Sequence, residues 1–182
     1  MTRAQDLISP AYLETQRALH ATPRGYGGKG SKWVDVVAAL AAQYDAMSVL
    51  DYGCGQGTLA TAIRAKHPAL VCREYDPAIP GKNALPSFAD LVVSTDVLEH
   101  IEPDRLDTVL DHMRSLARKA VFVVVATRLA SKTLADGRNA HLIVEPGGWW
   151  HARTQARGFT VIPDVAIRPG KPAREWVAVL LP

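Results

Sequence analysis

The stretch that decides the fold is Val49-Leu50-Asp51-Tyr52-Gly53-Cys54-Gly55-Gln56-Gly57-Thr58-Leu59-Ala60. Apolar residues typical of a strand end run into an acidic residue, then into glycines at every second position, and then into a helix-forming run. Glycine has no side chain to obstruct a ligand and reaches positive φ easily, and the start of a helix offers N–H groups without intrahelical partners. The stretch therefore predicts a strand, a turn and a helix whose backbone approaches a ligand closely.

The spacing of the glycines separates two kinds of ligand. A dinucleotide fingerprint has the form G-x-G-x-x-G, whereas Gly53, Gly55 and Gly57 form G-x-G-x-G. The pattern D-x-G-x-G-x-G resembles motif I of class I S-adenosylmethionine-dependent methyltransferases. The resemblance implies S-adenosyl-L-methionine as cofactor, with its methionine and ribose parts above the three glycines, Asp51 and Cys54. A nicotinamide enzyme and a glycine-rich turn without a ligand are the alternatives.

An acidic residue stands where a ribose-binding acid is expected. Asp76 lies 19 residues beyond Gly57 and follows a predicted strand over residues 70–75. In Rossmann-type folds an acid about 20 residues beyond the glycine loop binds the ribose hydroxyls. We therefore expect Asp76, with Pro77 beside it, to contact the cofactor. Glu74 is the rival acid, and an aspartate that only forms a turn is the other alternative.

A second motif follows the third predicted strand. Residues 89–103 read Ala-Asp-Leu-Val-Val-Ser-Thr-Asp-Val-Leu-Glu-His-Ile-Glu-Pro. This resembles motif IV of small-molecule methyltransferases, in which a strand of the type FDLVVS precedes a turn of the type LEHI. The resemblance implies that Thr95 and Asp96 lie beside the methionine part of the cofactor, and that His100 lies near the acceptor pocket. A capping role for Asp96 and a packing role for His100 are the alternatives.

The segment between the two motifs departs from the family pattern. Most relatives place a helix, a strand and an adenine-contacting acid there, but only thirteen residues, three of them proline, separate Asp76 from Asp90. That length has no room for both elements. We expect the third strand of the family to be vestigial and the adenine pocket to be shallow, with Asn83 or a backbone carbonyl in place of the acid.

A third constellation follows the most apolar strand, predicted over residues 120–125. Loops at the ligand edge of a parallel sheet often carry function, and this one contains Asn139 and His141, followed by Trp149 and Trp150. The pattern resembles compact methyltransferases encoded by phages and prophages. We expect the asparagine and both tryptophans to contact the acceptor. Core packing or a subunit contact in a homodimer is the alternative for the tryptophans.

Two histidines are candidates for the base that removes a proton from the acceptor. An imidazole has a pKa near neutrality, which suits general-base catalysis. His141 is the first candidate and His100 the second. The base would assist an in-line displacement at the sulfonium, for which the main tasks of the protein are alignment and exclusion of water.

A basic, glycine-rich segment over residues 24–32 lies near the N-terminus. Its composition resembles a P-loop, but the order of residues does not fit that motif. We expect it to lie at the mouth of the cofactor site, with Tyr26 as a cofactor contact. Its basic residues are compatible with an anionic acceptor.

The order of predicted elements indicates the fold class. Strands alternate with helices, as in a doubly wound α/β sheet. The last two strands, over residues 159–165 and 176–181, are close enough in sequence to form an antiparallel hairpin. We predict an α/β, Rossmann-like class I methyltransferase fold, mostly parallel, with a C-terminal antiparallel hairpin. Within a single domain, residues 1–45 would form N-terminal helices and a lid segment on a cofactor-binding core of residues 46–182.

Composition excludes several classes of protein. The net charge of +3, from 21 basic and 18 acidic residues, is too small to indicate nucleic acid as a partner. Cys54 and Cys72 do not have zinc-site spacing, and no metal is expected. The chain contains no [DN]-P-P-[YF] or Pro-Cys element of DNA methyltransferases. No apolar run could span a bilayer and no signal-peptide core is present, so a cytoplasmic location without a membrane partner is expected.

These observations predict methyl transfer from S-adenosyl-L-methionine to an oxygen or nitrogen of a small-molecule acceptor. Two alternatives stay open at this point. One is a cofactor-binding accessory protein without catalysis, and the other is a methyltransferase that acts on nucleic acid or protein.

Overall fold

Six α-helices and six strands form in the computed structural model, which describes residues 2–21, 27–163 and 174–182. The helices are α1 (Ala4–Leu7), α2 (Pro10–His20), α3 (Val34–Gln43), α4 (Thr58–Lys66), α5 (Leu106–Leu116) and α6 (Gly147–Ala156). The strands are β1 (Ser48–Tyr52), β2 (Val71–Tyr75), β3 (Ala89–Thr95), β4 (Ala117–Ala126), β5 (Thr160–Pro163) and β6 (Glu175–Leu181). Short 3₁₀-helices cover Gly30–Trp33 and Leu98–His100. None of the helices in these ranges is long and apolar enough to cross a lipid bilayer.

The strands form one sheet in the order β2-β1-β3-β4-β6-β5. The first four strands are parallel, so their carboxyl ends meet at one edge. Strand β6 is antiparallel to both β4 and β5. The predicted mostly parallel α/β sheet with a C-terminal antiparallel hairpin is therefore confirmed. Residues 164 and 165, which the predicted strand over 159–165 includes, lie outside the described residues.

The sheet ends at β2, as the short segment between the motifs predicts. Residues 76–88 contain no helix or strand and run through tight turns. The N–H of Asp76 donates to the carbonyl of Lys82 at 3.0 Å, and the N–H of Lys82 donates to the carbonyl of Ile79 at 3.0 Å. The segment therefore returns to β3 directly, and β2 is left at the edge of the sheet.

The core lies on both faces of the sheet because alternate residues of a strand point to opposite faces. In β4, Val121, Val123 and Val125 pack on the face covered by α5 and α6, with Trp150 among them. Ala120, Phe122 and Val124 pack on the opposite face, covered by α3 and α4. A strand buried on both faces is continuously apolar, as the sequence of β4 is.

Hydrogen bonds fix α2 to the segment that follows β3. The hydroxyl of Tyr12 donates to the carbonyl of His100 at 2.8 Å. The N–H of Ser9, the N-cap of α2, donates to the carboxylate of Glu102 at 2.8 Å. The N-terminal helices thereby cover the carboxyl ends of the parallel strands. At this edge the chain leaves β1 toward β2 on one side and leaves β3 toward β4 on the other. In open α/β sheets ligands bind at such a switch point.

Candidate active site

The glycine turn between β1 and α4 is shaped by close backbone contacts. Gly53 and Gly55 have φ of +79° and +51°. A Cβ on Gly53 would lie 2.5 Å from the side chain of Val97, and one on Gly55 would lie 2.8 Å from the carbonyl oxygen of Gly27. Only glycine fits at these two positions, because any side chain would push these neighbours away. The turn is thus closed over by residues from two distant parts of the chain.

Asp76 joins the end of β2 to this turn. Its side chain is buried, with one oxygen accepting the N–H of Gly55 at 2.9 Å and the other accepting the N–H of Ala78 at 2.9 Å. Glu74 makes ion pairs with Arg64 and Lys82 instead, at 2.7 and 2.8 Å. Although burial opposes the shift, these two cations lower the pKa of the Glu74 carboxyl. The negative charge of Glu74, the rival acid, is therefore already balanced by two cations of the same chain.

Two cavities open at the carboxyl edge of the sheet. We call the first the apolar cavity; it lies between α1, α2 and the end of β2, and its lining includes Leu7, Tyr12, Gln16, Tyr75, Pro77 and Val97. We call the second the polar cavity; it lies in front of β1, β3 and β4, and its lining includes Lys32, Asp51, Thr95, Arg128, His141 and Glu175. Gly27, Gly53, Asp96 and His100 line both cavities. The two cavities are therefore contiguous.

Asp96 stands between the two cavities in a conformation that is uncommon for a non-glycine residue. Its φ is +56°, immediately after β3, and its N–H donates to the carbonyl of Val124 at 2.9 Å. Its carboxylate lies 3.3 Å from the ammonium of Lys32. Left-handed backbone at a non-glycine residue is strained and concentrates at functional sites. The strain here turns the carboxylate toward both cavities.

Asp51 presents a second carboxylate to the polar cavity. It is the fourth residue of β1 and is only 4% exposed. Burial, followed by repulsion from Glu74, raises the pKa of the Asp51 carboxyl to about 7. A cation bound in the polar cavity would favour the ionised form.

His100, His141 and Glu99 converge beside the polar cavity. His100 Nδ1 lies 2.6 Å from the carbonyl oxygen of Ala140, and His141 Nδ1 lies 2.5 Å from that of Arg128. Because a carbonyl oxygen only accepts, both Nδ1 atoms carry a proton, and in a neutral ring Nε2 then carries the lone pair. The imidazole rings meet edge to face, 4.8 Å apart. Burial lowers the pKa of His100 to about 4.

Glu99 is a fully buried carboxyl at this point. One of its oxygens accepts the N–H of Ala126 at 3.0 Å, and its carbonyl accepts the N–H of Ile143. The other oxygen, Oε2, has no hydrogen-bond partner among the described residues. Burial raises the pKa of Glu99 to about 8.

A family model described as a methyltransferase domain matches residues 26–168. The chain belongs to this methyltransferase family. No curated protein matches it. Among solved structures, 1,6-didemethyltoxoflavin-N1-methyltransferase of Burkholderia thailandensis, with bound 1,6-didemethyltoxoflavin and S-adenosylhomocysteine, is 18% identical, with a TM-score of 0.65 and coverage of 96% of this chain and 91% of its own.

Two further solved methyltransferases are longer than this chain. An O-methyltransferase family protein from Burkholderia thailandensis is 16% identical, with a TM-score of 0.60 and coverage of 94% of this chain and 58% of its own. Human N-acetylserotonin methyltransferase in complex with S-adenosylmethionine is 12% identical, with a TM-score of 0.58 and coverage of 93% and 54%. This chain thus spans little more than half the length of these two proteins.

The comparisons confirm the predicted class of domain. The chain carries a methyltransferase domain with the fold of S-adenosylmethionine-dependent enzymes. Solved relatives hold S-adenosylmethionine or S-adenosylhomocysteine, which is the cofactor predicted from the glycine turn.

Most predicted site residues of the methyltransferase line one cavity or both. The apolar cavity is lined by Gly53, Gly55, Asp76, Pro77, Asp96 and His100. The polar cavity is lined by Asp51, Gly53, Cys54, Thr95, Asp96, His100 and His141. Tyr26 lies outside the described residues.

Four predicted contacts lie elsewhere. Gly57 lines neither cavity, because the Glu74 carboxylate fills the space where its Cβ would lie. Trp150 is fully buried in the core against Trp149 and Trp176, so its prediction as an acceptor contact is wrong. Trp149 packs against the same core and lines neither cavity.

The side chain of Asn139 organises its own loop. Its Oδ1 accepts the N–H groups of Ala130 and His141, both at 3.0 Å, and its Nδ2 donates to the carbonyl of Ala130 at 2.9 Å. The asparagine therefore positions the backbone of His141. Its prediction as an acceptor contact stays a prediction, since Oδ1 is engaged by two N–H groups and Nδ2 keeps one N–H beside the one given to Ala130.

Some site residues carried no recognisable signal in the sequence. Gln16 lies on α2, far from either motif in sequence. Gly27 belongs to the segment of residues 24–32 that was expected at the mouth of the cofactor site, but its contact with Gly55 could not be predicted. Glu99 is inside motif IV, where it belongs to the LEHI pattern. An acid directly before a candidate histidine was the available signal.

Proposed function

We propose that this chain transfers a methyl group from S-adenosyl-L-methionine to an oxygen or nitrogen of a small-molecule acceptor. The observation that carries the proposal is the contiguity of the two cavities at Gly53, Asp96 and His100. A ligand that extends from one cavity into the other would place its middle beside the glycine turn. S-adenosylmethionine has that form, with a flat aromatic base at one end and a charged amino acid at the other.

The apolar cavity would hold the adenosine part of the cofactor. The Asp76 carboxylate at its rim supports the ribose contact, since a carboxylate accepts hydrogen bonds from two hydroxyls. Two buried polar atoms in the lining, Gln16 Nε2 and the hydroxyl of Tyr75, have no partner among the described residues. Buried polar groups are normally hydrogen-bonded, so we assign them to the polar edge of adenine. Asn83, the earlier candidate, lines neither cavity.

The polar cavity would hold the methionine part and the acceptor. Asp51 and Asp96 place two carboxylates where the amino group and the sulfonium would lie. The methyl group would then lie near His141 and His100, which line the same cavity. Of these two, His141 is the better base, because a pKa near 4 leaves His100 a weak proton acceptor at neutral pH.

The wall of the polar cavity also indicates the charge of the acceptor. Four cationic residues line it: Lys29, Lys32, Arg128 and Lys132. Lys32 is engaged by Asp96, at 3.3 Å, and lies 3.9 Å from Glu175. These cations favour an anionic acceptor over a neutral or cationic one. We also propose that residues 1–45 act as a lid and that the protein is cytoplasmic. The likeness to phage-encoded methyltransferases is part of the same proposal.

Calorimetry and a labelled-methyl assay test this function together. S-adenosylhomocysteine should bind with one site per chain. S-adenosylmethionine with a labelled methyl group should label members of a panel of carboxylated phenols and heteroaromatic amines. Replacing both His100 and His141 with alanine should abolish labelling and leave S-adenosylhomocysteine bound. Binding without labelling of any panel member, or labelling only of added RNA or protein, would overturn the small-molecule assignment.

A further inference from the structure

Three side chains beside the polar cavity have the chemistry of a metal site. Glu99, His100 and His141 each offer one ligand atom, and these atoms all lie within 4.8 Å of one another. We propose that this cluster binds a divalent transition-metal ion through two imidazoles and one carboxylate. The sequence gives no metal signature here, because the two cysteines lack zinc-site spacing and 41 positions separate the two histidines.

The imidazoles are held as metal-binding imidazoles usually are. A histidine that binds a metal through one nitrogen typically donates the other N–H to a carboxylate or a backbone carbonyl, which fixes the tautomer and the ring orientation. Here both Nδ1 atoms donate to carbonyls, His100 to that of Ala140 and His141 to that of Arg128. Each Nε2 therefore carries the lone pair that an ion requires.

The carboxylate supplies the second, independent observation. Glu99 is fully buried, and its Oε1 is satisfied by the N–H of Ala126. Its Oε2 has no hydrogen bond, and Glu99 makes no ion pair with any residue that the structure describes. A buried carboxylate oxygen without a partner is costly. A cation held between Glu99 and the two imidazoles would remove that cost.

The separation of the ligand atoms is close to what an ion needs. Metal–nitrogen distances near 2.1 Å allow two ligand atoms to lie at most about 4.2 Å apart. The ligand atoms lie within 4.8 Å of one another, so a movement of well under 1 Å per side chain would bring them within reach of one ion. His141 lies in a loop, where such a rotation requires no change in the core.

The donor set selects the kind of ion. Two imidazoles favour zinc, cobalt, iron or manganese, whereas magnesium and calcium prefer oxygen ligands. Three protein ligands leave a coordination position open. Since His100 and His141 line the polar cavity, that position faces the space assigned to the acceptor.

An ion at this position would bind an acceptor hydroxyl and lower its pKa, so that the oxygen attacks the methyl group as an alkoxide or phenoxide. With the ion bound, His141 is a ligand and not the base, so the proton leaves to solvent. The new bond joins oxygen to the methyl carbon, and the carbon–sulfur bond breaks to release S-adenosylhomocysteine. This role rests on the proposed function, whereas binding of the ion does not.

Titration of the full chain after treatment with a chelator tests the site. Co²⁺ should give visible absorption bands that saturate at one ion per chain, and calorimetry with Zn²⁺ should give the same stoichiometry. His141→Ala should weaken both affinities by at least about tenfold. His151→Ala, which changes a histidine on α6 outside the cluster, should leave them unchanged.

Glu99→Gln is a second variant of the cluster, chosen because it should still fold. The amide oxygen can still accept the N–H of Ala126, and the variant should lose at least about tenfold in Co²⁺ affinity while its thermal transition persists. Absence of a saturable Co²⁺ or Zn²⁺ site in the unaltered chain would overturn the proposal. Equal affinities in the His141→Ala, Glu99→Gln and His151→Ala chains would do so as well.

The same samples separate the two proposals. If a panel member is labelled and no ion binds, the metal site is refuted and methyl transfer stands. If an ion binds at this cluster and no acceptor is ever labelled, the metal site stands and the proposed function fails.

Discussion

The Asp76 carboxylate accepts the backbone N–H of Gly55 at 2.9 Å, so the acid at the end of β2 holds the glycine turn that follows β1. The other oxygen of Asp76 holds the N–H of Ala78 in the next turn. One buried carboxylate therefore fixes the two backbone segments between which the adenosine would lie. A substitution at Asp76 would therefore change the shape of the cavity as well as any contact with the ribose.

Asp76→Asn should lower the affinity for S-adenosylhomocysteine at least tenfold, or about 1.4 kcal/mol. The amide keeps the volume and one acceptor oxygen, but its NH₂ group cannot accept a hydrogen bond from a ribose hydroxyl or from the Gly55 N–H. Calorimetry at fixed pH and salt measures the change. Glu74→Gln is the matched control and should have little effect. A larger loss in Glu74→Gln than in Asp76→Asn would move the ribose contact to Glu74.

Gly55→Ala should destabilise the chain by at least about 1 kcal/mol more than Gly81→Ala. Both glycines have positive φ, at +51° and +83°, so both substitutions strain the backbone. Only at position 55 would the new Cβ meet another segment, the backbone of Gly27 at 2.8 Å, whereas nothing lies within 4 Å at position 81. Urea denaturation gives both free energies of unfolding. Equal losses would mean that Gly27 gives way without resistance.

The sheet and the strand-end residues could be predicted because they follow from local sequence. The alternation in β4 and the glycine turn after β1 are each set within a few residues, and parallel strands bring their carboxyl ends to one edge. Asp76 could be predicted for that reason, whereas Asp51 and Asp96 follow from the resemblance to the two methyltransferase motifs. The contacts made by Gln16 could not be predicted, because they depend on how α2 is placed over the sheet.

The sequence also does not show which of two neighbouring side chains faces the core. Trp150 and Trp149 are adjacent on a short helix, and the sequence does not say which of them faces the sheet. Asn139 likewise carries the right chemistry for a ligand, but its hydrogen bonds to Ala130 and His141 exist only once the loop has closed. Residue type alone does not separate a ligand contact from a residue that positions one.

Gln16→Leu should weaken binding of S-adenosylhomocysteine by about three- to tenfold, which corresponds to one lost hydrogen bond. The buried Nε2 of Gln16 has no partner among the described residues and lines the apolar cavity. Gln43→Leu, at an exposed position at the end of α3, is the control and should bind like the unaltered chain. Calorimetry with adenosine alone should show the same ratio. An unchanged affinity for both ligands would place adenine outside the apolar cavity.

Asp51→Asn should stabilise the chain at pH 8 and weaken its binding of S-adenosylmethionine. Burial, with repulsion from Glu74, raises the pKa of Asp51 to about 7, whereas the same carboxyl ionises near 4 in an unfolded chain. Between these values the folded state binds more protons, so stability from this group is present below pH 4 and is lost as the pH rises to 7. The neutral amide avoids that loss, and the gain in melting temperature should therefore shrink as the pH falls from 8 toward 4. Asp35→Asn, at an exposed carboxylate paired with Lys66, should show no such trend. The cationic cofactor should lose more affinity than S-adenosylhomocysteine in Asp51→Asn, because only the former carries the sulfonium charge; a gain that does not vary with pH, or equal losses for the two ligands, would remove Asp51 from this role.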